Sequence, residues 1–114
     1  MAYDEELAAR VRRALRRRSD ITERKMFGGL SFLRDGRMCC GIVGNDLVVR
    51  VLDKEMPFVL QRAHVRPMDF TGKPLRGFVY VAPDAIATDD GLRDWIARGV
   101  AFTKEKASTN RGRL

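Results

Sequence analysis

Histidine and cysteine, the residues most often used for nucleophilic and metal chemistry, are few in this chain. His64 is the single histidine, and the two cysteines, Cys39 and Cys40, are adjacent. A nucleophile needs a base, and the base needs a third group to orient it. One histidine cannot start such a triad, and His64 falls where a helical stretch runs into a strand, so it reads as a structural or surface residue. Zinc requires several converging ligands, as in Cys-x-x-Cys pairs joined by further Cys or His. Neighbouring cysteines on an extended strand point to opposite faces, which disfavours both a shared metal and an ordinary disulfide. They are expected to be reduced thiols that fill a core, since free cysteine is among the most buried residue types. A reactive thiol would need a cation beside it, with Arg37 or Arg50 as candidates. Neither Gly28-Gly29 nor Thr71-Gly72-Lys73 matches a phosphate-binding glycine loop, and both read as turns. No catalytic, metal-ligating or cofactor-binding residue is assigned. The expectation is a protein that is not an enzyme, with a thiol-dependent enzyme built on Cys39 or Cys40 as the last alternative.

The remaining chemistry is charge. The net charge is +7, and it is placed at the ends: six arginines against three acids in residues 1–18, four bases against one acid in 104–114, and 12 against 11 between. Arg10, Arg12, Arg13, Arg16 and Arg17 spread over the side of a helix opposite Leu7 and Val11. Such a face can neutralise phosphates, and Lys104, Lys106, Arg111 and Arg113 would add to it if the termini meet. Arg12, Arg13, Arg16 and Arg17 are therefore the candidate nucleic-acid-binding residues. No aromatic side chain is interleaved for base stacking and no helix-turn-helix follows, so a solvated face that complements the helix dipole is the preferred account.

The elements that must position these residues are legible. Residues 4–18 place Leu7, Val11, Ala14 and Leu15 on one stripe, with acids in the first turn and arginines in the last, and Ser19-Asp20 breaks the pattern. A meander follows over residues 25–52, with a kink or bulge at Gly28-Gly29 after Met26 and Phe27. Asp35-Gly36 joins strands 30–34 and 37–43, and Gly44-Asn45 leads into 46–52. Residues 54–63 suit a short helix with Asp53 as its cap and Pro57 in its first turn. Strands over 64–70 and 77–82 flank loop composition at residues 71–74. A last helix starts at Thr88 or Asp89 and runs to 105, burying Leu92, Trp95, Ile96, Gly99 and Val100. The class is α+β in the order helix, three-stranded antiparallel meander, helix, two strands, helix. One domain over residues 1–106 and a flexible basic tail over 107–114 are expected, at a length that folds around one core.

Two segments carry finer detail: KMFGGLSFLRDGRMCCGIV, residues 25–43, and RPMDFTGKPLRGFVYV, residues 66–81. With the tryptophan helix around Trp95 they resemble the N-terminal domain family of the TfoX (Sxy) competence regulators, in a stand-alone, single-domain form, over roughly positions 3–103. The resemblance implies a fold similar to the type III secretion chaperones, in the same element order. It implies a regulatory or protein-interaction role connected with competence or transcription.

The opening residues lack a basic, apolar leader, and no run is long enough to span a bilayer, so the expected location is the cytoplasm without membrane association. Met38, Cys40 and Ile42 on one face of the meander, and Cys39 and Val43 on the other, leave apolar surface that three short helices do not obviously cover. That suggests a homodimer or an unknown protein partner.

Overall fold

Alternating apolar residues and glycine-marked reversals decide the architecture. The structure is a computed structural model that describes residues 3–18, 20–26, 28–70 and 73–112. Ser19, Phe27, Thr71, Gly72 and Arg113, named above, lie outside that set.

Helix α1 spans Glu5–Ala14 and is capped by Asp4, whose carboxylate accepts from the backbone N–H groups of Glu6 at 2.9 Å and Leu7 at 3.3 Å. Such a cap contributes about 1 kcal/mol. Leu7, Ala8, Val11 and Leu15 are buried beneath it. The helix ends earlier than the charge pattern suggests: Leu15 is the C-cap, and Arg18 N–H bonds to the Leu15 carbonyl in a turn outside the helix.

Four strands then form a meander: β1 Ile21–Met26, β2 Gly29–Arg34, β3 Arg37–Val43 and β4 Asp46–Arg50. The sequence showed three of them. β1 is the one it missed, because Thr22, Glu23, Arg24 and Lys25 are all exposed and only Ile21 is half-buried, leaving no apolar alternation to read. The expected kink at Gly28-Gly29 is the reversal between β1 and β2, with Met26 opposite Gly29 and Gly28 at φ 73°. At Asp35-Gly36 both φ angles are positive, 53° and 80°, between the paired residues Arg34 and Arg37, as a two-residue hairpin requires.

The chain leaves the sheet through a 3-10 turn, Asp53–Glu55, and a short helix α2, Met56–Val59, with Pro57 in the first turn as expected. Asp53 does not cap it. The position before the 3-10 turn is Leu52, and no side chain caps either piece. β5, Val65–Phe70, and β6, Lys73–Val81, return as a hairpin, and a second 3-10 turn covers Pro83–Ile86. Helix α3, Asp89–Gly112, is capped by Thr88, whose Oγ1 accepts from Gly91 N–H at 3.0 Å. Its backbone stays helical through residues 107–112, where the sequence suggested a tail.

The sheet order is β1-β2-β3-β4-β6-β5, with antiparallel pairing throughout. Its two edges are blunted differently, β1 by its charges and β5 by Pro67. One face packs Leu30, Phe32, Ile42, Leu47, Val49, Val79 and Val81 against Leu7, Val11, Leu92, Trp95, Ile96 and Val100 of the helices. On the alternating positions Leu33 and Val48 are buried as well, at 5% and 1% exposure.

Candidate functional site

The cysteines are interior residues, but not on opposite faces. β3 carries a bulge: Phe32 pairs with Cys40 and Leu33 with Met38, so Cys39 is an extra residue without a partner across the ladder. The bulge shifts the alternation by one. Met38 moves to the other face, where its Cε lies over Gly41, while Cys39 joins Cys40 in the helix-side core. Cys39 Sγ donates to the Phe32 carbonyl at 3.3 Å, and the Cys40 thiol is its neighbour in the interior. The interaction between the two thiols, reinforced by burial, pushes Cys40 well above its usual range, and the same interaction draws Cys39 down. Both side chains are at 0% exposure, so solvent access decides against reactivity before acidity does.

Helix α3 closes over this bulge. At Gly99 a Cβ would run into the backbone carbonyl of Cys39, so the helix seats directly on the strand backbone there. Arg50, named above as a possible neighbour of the thiols, stacks elsewhere, its guanidinium 4.3 Å from the Phe78 ring centroid and 4.6 Å from that of Phe102. Burial pulls its pKa down against the opposing charge of Asp53, and its Nε is buried with no hydrogen-bond partner. The cation whose charge reaches Cys39 is Arg18. His64 is exposed at φ 67°, and its carbonyl accepts from Ala82 N–H at 2.9 Å, a backbone role at the mouth of β5. Among the described residues no three His, Cys, Asp or Glu side chains are grouped to hold a metal ion, and no helix is long and apolar enough to cross a membrane.

Two exposed surfaces remain. The first lies at the end of α1. The sequence placed Arg12, Arg13, Arg16 and Arg17 on one helical face, and the structure separates them. Arg12 leaves the set because Glu23 of β1 holds it through two bonds of 2.9 Å, which raise its pKa. Arg13, Arg16 and Arg17 stay together and are joined by Arg18 and by Arg93 of α3 around one open depression floored by Ala14. Arg18 continues the basic run in the sequence. Arg93 had no signal there, because only the packing of α3 beside α1 brings it near. Lys104 does not join them, since it lies eleven residues beyond Arg93, about 16 Å along the helix axis.

The second surface lies between α2 and α3. Arg98 donates to Glu55 at 3.0 Å, and the guanidinium groups of Arg62 and Arg98 lie 4.7 and 5.3 Å from the buried Trp95 ring. Glu55, Arg62, Asp94, Ala97, Arg98 and Ala101 line an open groove. Phe58 lies on α2, between Glu55 and Arg62 in the sequence, but is not itself among the residues that line the groove. Its ring is 72% exposed, the one large apolar side chain so exposed among the described residues.

The family model of the TfoX N-terminal domain matches residues 4–103. The chain belongs to that family. Neither the curated proteins nor the solved structures contain a match. The matched span of this TfoX N-terminal domain includes the bulge, the arginine turn, the groove and Phe58. The α+β order expected from the resemblance is the order observed, enlarged by the edge strand β1.

Proposed function

We propose that this TfoX N-terminal domain is a non-enzymatic regulatory module of the cytoplasm that works by binding a protein partner, in the competence or gene-regulation setting that its family suggests. The observation carrying the reading is Phe58. An isolated exposed apolar side chain is ordinary on a protein surface. This one stands on a short helix whose backbone is anchored by buried Val59 and, three residues earlier, by the Glu55–Arg98 ion pair. An aromatic side chain on an anchored backbone spares a partner the cost of ordering that segment and offers the aromatic anchor that protein interfaces favour. The apolar surface that first suggested a homodimer is largely enclosed: Cys39, Cys40 and Ile42 are at 0% exposure, and only Met38 and Val43 are half-buried.

The test is capture from the native cell after nuclease treatment, with wild type, Phe58→Ser and Arg16→Ala as baits and with thermal unfolding matched among them. A partner that is retained by Arg16→Ala and lost with Phe58→Ser supports the reading. Capture unaffected by Phe58→Ser, or no protein partner at all, overturns it. Light scattering on the same samples identifies the case in which the partner is a second copy of the chain.

A further inference from the structure

The depression at the end of α1 has a composition that the dipole account does not cover. Helix termini attract basic side chains within the last turn, and that explains Arg12 and Arg13. Arg16, Arg17 and Arg18 lie beyond Ala14, in the exposed turn after the helix. Acids are close by, but among the described residues none is paired with Arg13, Arg16, Arg17 or Arg18, and only Arg93 of the cluster has a carboxylate partner. Asp20 accepts from Arg34 at 2.7 Å, Glu23 from Arg12, and Asp89 from Arg10 at 3.4 Å. Asp90 pairs with Arg93 at 3.4 Å. Among the described residues Arg13, Arg16, Arg17 and Arg18 have no ion-pair partner, and no carboxylate lines the depression they share with Arg93; Asp89 lines the adjoining one, where it pairs with Arg10. A surface that only needed solubility would intersperse both signs and would not hold four guanidinium groups against their mutual repulsion.

We infer that Arg13, Arg16, Arg17, Arg18 and Arg93 form a binding site for the phosphate backbone of a nucleic acid, separate from the surface that carries Phe58. Guanidinium groups are planar donors matched to phosphate oxygens, and every charged residue in the depression is an arginine. Three consecutive arginines on one turn present charge at a density suited to successive phosphates. Ala14 is the only apolar residue there, which gives nothing to insert into a lipid surface, and no aromatic ring is available to stack on a base. The contacts are therefore to the backbone and independent of base sequence. This surface differs from the one the sequence marked: Arg12 is outside it, and Arg18 and Arg93 are inside.

The experiment is fluorescence anisotropy of a labelled duplex DNA, a single strand of the same sequence and an RNA hairpin, titrated with the full chain over a series of salt concentrations. Four to five phosphate contacts give a slope of log affinity against log salt of about −4 on a duplex. The variant Arg16→Ala/Arg17→Ala/Arg18→Ala is expected to lose tenfold or more in affinity at low salt and to flatten the slope by about three. The charge-neutral pair Arg12→Ala/Glu23→Ala is expected to bind within twofold of wild type. The three probes distinguish duplex, single-stranded and folded RNA backbones as the source of phosphate. No binding to any probe at low salt overturns the inference. So does a triple variant that binds as wild type, an equal loss in the Arg12/Glu23 pair, or polyglutamate competing as well as nucleic acid.

Discussion

Two regions served by the same helix stand in contrast. Where the middle of α3 meets the bulge of β3, Gly99 sits on the Cys39 carbonyl and both thiols are sealed from solvent. Where the first turns of α3 pass the end of α1, Arg93 faces four more arginines across an open depression. The two thiols lie sealed in the interior, and the arginines lie open to solvent.

The contrast breaks most directly at Gly99. Replacing it with alanine puts a methyl against a backbone carbonyl, which has no rotamer to escape into, so the helix must lift from the strand. We expect a loss of about 3 kcal/mol in urea-induced unfolding. A loss below about 1 kcal/mol would mean that the seat of α3 is looser than its geometry. The thiols sharpen the same point. In the native state Cys39 and Cys40 should resist alkylation at neutral pH, modification should follow global unfolding in denaturant, and Gly99→Ala should speed it. Rapid modification of native wild type would reopen the interior as a reactive site. The smallest effect belongs to the open side. Asp20 accepts from Arg34, which holds its carboxyl below the ordinary carboxylate range. A depressed native pKa contributes stability above the unfolded-state value near 3.9 and loses it as pH falls through the native one. Comparison of wild type with Asp20→Asn should therefore show a small difference near neutral pH that disappears on acidification, and a difference that grows with acid would refute the assignment.

Much of this was legible because the turn chemistry is local. Asp35-Gly36 and Gly44-Asn45 specify reversals by their own backbone preferences, and the stripe Leu92, Trp95, Ile96, Val100 specifies a buried helix face by spacing alone. What escaped depended on partners distant in the chain. β1 is an edge strand whose pairing with β2, not its own pattern, makes it a strand. The bulge at Cys39 is a property of the β2–β3 register, and it reversed the expectation that Cys39 and Cys40 diverge. The arginine face failed for a related reason. Residues 16–18 continue the helical charge pattern, but the helix stops at Ala14, and the side chains that complete or leave the cluster, Arg93 and Arg12, are placed by α3 and by Glu23. Phe58 was seen as part of a short helix, yet its exposure follows from Val59 taking the inward position on that turn.

The contact at Gly99 also pins α3 at one point of a face that Leu92, Trp95, Ile96 and Val100 bury around it. Thirteen residues of helical backbone extend from that point to Gly112, a reach of about 20 Å, while Arg93 lies six residues to the other side, about 9 Å away. The seat at Gly99 therefore helps to set where Arg93 stands relative to the sheet, and with it the geometry of the arginine turn.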